Sequence, residues 1–173
     1  EVIIVGIEHG NEKRMDELTP YPNEKYGGGK ADAYLDFIVT TLKPHIDTNY
    51  RTKTGKMNTA IAGSSLGGLV SYYAILKYPK IFGKAAIFSP SFWFNNSIYT
   101  LTENTKNLKT KLYFMCGDNE GETTVADMDK MVDLVNDKRC TCMHLTKKTV
   151  IAGGKHNEKL WSKEFGKAYL WLF

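Results

Sequence analysis

Short unbroken apolar runs alternate along this chain with stretches in which apolar residues recur every three or four positions. Runs of the first kind mark strands buried on both faces, and stretches of the second kind mark amphipathic helices. Val2 to Ile7, Met57 to Ala62, Lys84 to Phe88 and Lys111 to Cys116 read as strands. Met143 to Ile151 is a less regular fifth, whose Lys147 and Lys148 suit an outer position. Tyr34, Phe37, Ile38, Leu42 and Ile46 predict a helix from Lys30 that Pro44 bends or ends, and Leu66 to Tyr78 predicts a second, closed by Pro79. Val125, Met128, Val132 and Val135 predict a third, and Asn157 can cap a last helix running to Phe173. This order demands an α/β fold, a mostly parallel sheet of about five strands with helices on both faces. No repeat or linker interrupts it, so residues 1–173 read as a single domain.

A central-type strand that starts almost at the first residue would be an open sheet edge, so the pattern leads us to expect further N-terminal strands upstream. Glu8 to Gly29, rich in Gly, Pro, Asn and charge, reads as a long loop, which in a compact domain usually means function or mobility.

Composition narrows the function classes. With 42% hydrophobic and 24% charged residues in 173, the chain can build a core and is not of disordered type. Its apolar runs are too short for a membrane span, and no signal-peptide succession opens it. The first residue is not methionine, which leaves both a cytoplasmic and an exported location open. The net charge of +4 comes from dispersed lysines, without the basic clusters of a nucleic-acid surface. Cys140-x-Cys142 lacks zinc-site spacing, Cys116 reads as a small core hydrophobe, and we expect no metal, cofactor or disulfide framework.

The candidate chemistry sits at strand ends. Gly63-Ser64-Ser65-Leu66-Gly67 is a G-x-S-x-G motif between a predicted strand and a predicted helix, the setting of a nucleophile elbow. The register selects Ser65, because a motif centred on Ser64 would need glycine where Ala62 and Leu66 stand. The turn after Lys111 to Cys116 offers Asp118 and Glu120, and the turn after the last strand offers His156. Serine, acid, histidine is the chain order of the α/β-hydrolase triad. His156 would take the serine proton, the carboxylate would orient the imidazole, and the backbone N–H of Leu66 would donate to the oxyanion. Of the acids, Asp118 directly follows Gly117, where a short side chain commonly caps its own turn. Glu120 reaches further, and Glu122 stands near a helix start. His9, His45 and His144 have no comparable setting and read as structural or solvated.

Most of the chain resembles the esterase branch of the α/β-hydrolase superfamily, which includes enterochelin esterase-like, feruloyl esterase-like and S-formylglutathione hydrolase-like proteins. The resemblance is carried by Ile61 to Gly68, Phe88-Ser89-Pro90-Ser91-Phe92-Trp93, Gly117-Asp118-Asn119-Glu120, Gly154-Lys155-His156-Asn157-Glu158 and the R-x-x-E-x-x-P loop Arg14 to Pro20. It implies strands upstream of Val2 to Ile7, one of them ending in a loop that supplies a second oxyanion donor. The sequence departs from the family pattern in lacking that loop, and full activity without it would require Gly6 to Gly10 to supply the second donor. The resemblance also favours Glu120 as the acid, three residues after the glycine. Phe92 and Trp93, on a loop at the catalytic end, suit an apolar or aromatic acyl group. Arg14 is a further candidate for substrate contact, although it more readily ties down its loop by a salt bridge with Glu17. The expectation is a metal-independent serine hydrolase of small-molecule esters. Acyl transfer to an alcohol and a hydrolase-shaped binding module are the alternatives.

Overall fold

Each of four strands pairs in parallel with the next one in the chain, giving the order β1-β2-β3-β4 for Ala60–Ser64, Lys84–Phe88, Lys111–Gly117 and Thr146–Ile151. The computed structural model describes residues 2–106, 108–139 and 144–173. Met143, Cys140 and Cys142 lie outside the described residues. The helices are α1 (Arg14–Leu18), α2 (Ala31–Phe37), α3 (Lys43–Asn49), α4 (Leu66–Lys77), α5 (Ser97–Asn104), α6 (Thr124–Asp137) and α7 (Glu158–Leu172).

Successive side chains of a strand point to opposite faces, and both faces of the two central strands are apolar. Ala85, Ile87, Leu112, Phe114 and Cys116 pack with Leu69, Ile75, Ile98, Met128 and Val132 of α4, α5 and α6. Ala86, Phe88, Tyr113 and Met115 pack with Leu160, Ala168 and Leu172 of α7. β4 is the polar edge that its lysines predict, with Lys147 and Lys148 exposed and Lys148 Nζ 2.8 Å from Asp129. Asn157 caps α7 as expected, its side-chain oxygen accepting from Leu160 N–H at 3.1 Å.

Four expectations are corrected. Val2 to Ile7 is not a fifth strand: it forms no ladder, and its apolar side chains are 39–67% exposed. A strand exists by pairing, and among the described residues none pairs with this segment. Val2, Ile3, Val5 and Ile7 share with Ala60 to Ser64 the lining of a cavity of about 1120 Å³, so segment and β1 edge face each other across open space. Pro44 does not end its helix. A π turn over Ile38–Leu42 precedes it, with Lys43 N–H reaching back to Ile38 O, and helical structure continues to Asn49. Widening the turn there makes room for a residue that cannot donate. The elbow strand starts at Ala60, because Lys56–Asn58 is a 3-10 turn. The loop of residues 8–29 contains α1, and α5 forms in a stretch that carries no clear helical period.

Candidate active site

The β1–α4 turn holds Ser65 at φ 58° and ψ −123°, a conformation that costs a residue with a Cβ and persists only when its surroundings impose it. They do so through the backbone. Ser65 N–H donates to Phe88 O at 3.0 Å, and Ser91 N–H donates to Ser65 O at 3.2 Å. A Cβ on Gly63 would lie 2.3 Å from Gly67 O, so strand and helix approach as the motif predicts. Gly67 makes no such approach, since a Cβ there would meet nothing within 4 Å, whereas one on Gly68 would lie 2.9 Å from Phe88 O. The close approach therefore needs glycine at 63 and 68. Leu66 N–H, the first of α4, donates to no described residue and is free to bind an anion.

The turns after β3 and β4 are laced together, with Asn119 N–H donating to Gly154 O at 2.9 Å and Gly153 N–H donating to Asp118 Oδ1 at 2.7 Å. Asp118 thus joins two turns instead of capping its own. Glu120 turns inward. Its side chain is 0% exposed, and its Oε2 lies 3.0 Å from His156 Nδ1. Its Oε1 accepts from Gly117 N–H at 2.6 Å and from Ser89 Oγ–H at 2.7 Å. Burial pushes the Glu120 carboxyl up, yet the bonds from His156, Gly117 and Ser89 together hold it below the ordinary carboxylate range. Glu122 is exposed and contacts none of these groups.

Ser65 Oγ is 3.3 Å from Ser91 Oγ and makes no hydrogen bond to His156 in this structure. Such bonds are often long before substrate binds. Ser89, Ser91 and Trp161 are residues of this region that the sequence reading did not single out for it. Ser89 and Ser91 carry the same signal as the others, a polar side chain just past the carboxyl end of a strand. Trp161 lies on α7 and carries no such signal.

The two loop aromatics part company. Phe92 is 0% exposed and packs on Tyr72, Tyr99 and Phe114. It is a core residue, which corrects its expected place in a substrate site. Trp93 is half exposed and lines an open cavity of about 560 Å³ with Tyr26 and Asn95. Arg14 lines the larger cavity beside β1. Its expected salt bridge with Glu17 is absent among the described residues, and Glu17 instead accepts from Gly10 N–H at 2.7 Å.

A family model described as "Putative esterase" matches residues 1–172. The chain belongs to this esterase family. The uncharacterized protein YbbA of Bacillus subtilis (strain 168) is 30% identical over 191 residues, which covers 100% of this chain and 74% of that protein. The siderophore triacetylfusarinine C esterase of Aspergillus fumigatus is 33% identical over 101 residues, 57% of this chain and 34% of that enzyme. Among solved structures, the BES protein from Bacillus cereus superposes with a TM-score of 0.77 at 23% identity, over 95% of this chain and 64% of that one. The shared fold is that of the α/β-hydrolases, and the chain spans only part of the length of each of these relatives.

Other candidates in this esterase-family chain fall away from the site. His45 lies 3.3 Å from Asn49 Nδ2, and His9 Nδ1 accepts from Asn11 N–H at 3.1 Å. Burial pushes the Cys116 thiol up to about 12, which makes it unreactive. Among the described residues no group of three or more His, Cys, Asp or Glu side chains could hold a metal, and no helix is long and apolar enough to cross a membrane.

Proposed function

We propose that this chain is a serine carboxylic-ester hydrolase in which Ser65 is the nucleophile, His156 the general base and Glu120 the orienting acid. The observation that carries the reading is the bond from His156 Nδ1 to a fully buried Glu120 carboxylate, with Ser65 held on a strained turn at the same end of the sheet. A carboxylate on Nδ1 fixes the tautomer that leaves Nε2 free to accept a proton. Ser65 Oγ attacks the ester carbonyl carbon as His156 takes its proton, and Leu66 N–H donates to the oxygen that becomes negative. His156 returns the proton to the leaving alcohol. Water then attacks the acyl-enzyme with His156 again as base, releasing the acid and restoring Ser65.

The substrate we assign is a small-molecule ester. A siderophore ester is the first to test, because a relative carries that activity in its name. Turnover of p-nitrophenyl acetate by the chain, set against Ser65→Ala and His156→Ala, tests the reaction, and adding acceptor alcohols separates hydrolysis from acyl transfer. Equal turnover in all three proteins defeats the reading.

A further inference from the structure

Ser89 follows β2 in a left-handed conformation, at φ 44°, and is 1% exposed. Its Oγ lies 2.7 Å from Trp161 Nε1 and 2.7 Å from Glu120 Oε1. An indole nitrogen can only donate, so Ser89 Oγ must accept from it, and the single hydroxyl proton then goes to the carboxylate. The direction Trp161 to Ser89 to Glu120 is thereby fixed without any assumption about hydrogen positions. Trp161 also meets the other end of the acid–base pair, its ring standing at 90° to that of His156 with centroids 5.0 Å apart. Trp161, Ser89, Glu120 and His156 therefore close a ring drawn from α7, the end of β2, the turn after β3 and the turn after β4.

We propose that Ser89 and Trp161 are positioning residues that aim Glu120 at His156. A carboxylate in this turn has two oxygens and could present either to the imidazole. With Oε1 held by Gly117 N–H and Ser89 Oγ–H, only Oε2 is left for Nδ1. The perpendicular indole limits the tilt of the imidazole, so the same side chain anchors the carboxylate through its N–H and the base through its ring. Neither residue touches substrate in this scheme. The inference rests on the triad reading above, because it concerns what that triad's acid and base are held by.

The test uses the whole chain with p-nitrophenyl acetate as probe. Ser89→Ala should lower kcat about 10- to 100-fold, the range for losing a hydrogen bond to a charged group, and Trp161→Phe, which removes a bond between neutral groups, about 3- to 10-fold, each with KM within about twofold of the parent. In a Glu120→Gln background the same two changes should move kcat by less than about twofold, since they act through the carboxylate. Trp161→Phe keeps a ring against His156, and Ser89→Gly relieves the positive φ, so the proposal stays testable should Ser89→Ala fold poorly. By proton NMR, the low-field His156 Nδ1–H signal should be present in the parent and broaden in both variants, whatever the turnover. Near-parental kcat in both variants, the same loss recurring in the Glu120→Gln background, or a signal unchanged in both variants overturns the proposal. Failure of the triad reading looks different: Ser65→Ala then matches the parent.

Discussion

Gly117 and Gly154 meet backbone to backbone, so closely that a Cβ on Gly117 would lie 2.2 Å from the Gly154 carbonyl oxygen. The contact sets how near the Glu120 turn comes to the His156 turn. Gly117→Ala should therefore lower stability by about 1–3 kcal/mol and kcat/KM by about 100-fold, because the turns must part. Gly166→Ala is the control. It sits on exposed α7 surface with nothing within 4 Å, and it should leave kcat/KM unchanged while raising stability by about 0.5–1 kcal/mol. Thermal melts and steady-state kinetics on both variants check this.

Glu120→Gln should cost roughly 10,000-fold in kcat/KM, the loss seen when a triad acid becomes an amide. Asp118→Asn weakens only the tie to Gly153 N–H and should reduce stability by about 0.5–2 kcal/mol with near-normal kcat/KM. The reverse ranking would transfer the role to Asp118.

The lowered Glu120 carboxyl sets an acid limit on stability. A group whose folded pKa lies below its unfolded one contributes stability above the unfolded value and loses it as pH falls through the folded value. Denaturant midpoints of the parent should accordingly drop below about pH 4, and those of Glu120→Gln should drop less. Equal pH dependence in the two proteins contradicts the assigned bonds.

A fluorophosphonate should add one group to Ser65 and none to Ser64. Peptide mapping by mass spectrometry reads the position, and Ser65→Ala or His156→Ala should abolish the label. Labelling mapped to Ser64 would contradict the register of the elbow.

Phe92→Ala should destabilise the fold by about 3–5 kcal/mol, since it empties a site bounded by Tyr72, Tyr99 and Phe114. Trp93→Ala should cost less, about 0.5–1.5 kcal/mol for its ring contacts with Tyr26 and Phe94, and act on KM for aromatic esters. Denaturant titration with a homologous series of acetyl and aromatic esters distinguishes them.

The elbow was legible because its signal is local: Gly63, Ser65 and the run before them lie within a few residues, and the steric demand at Gly63 acts inside that window. The central strands were legible because burial on both faces writes itself as an unbroken apolar run. Phe92 and Trp93 were not separable, since neighbouring aromatics on an irregular loop carry no period that tells inside from outside. The bond between Ser89 and Trp161 spans 72 residues and exists only because α7 packs under β2. Val2 to Ile7 has the composition of a strand, but a ladder is a property of two segments, and composition reports on one.

The strand order follows the order of synthesis. A sheet laid down as β1, β2, β3 and then β4 can grow by adding each new strand to the edge last formed, so no strand has to be threaded between two already paired. The same vectorial growth delays the chemistry. Ser65 and its turn are complete once β2 supplies Phe88 O, and Glu120 follows with β3, yet His156 lies beyond β4 and Trp161 beyond that. A nascent chain that has not yet exposed the turn after β4 would carry the serine without its base, and the proposed triad would be complete only once His156 has emerged.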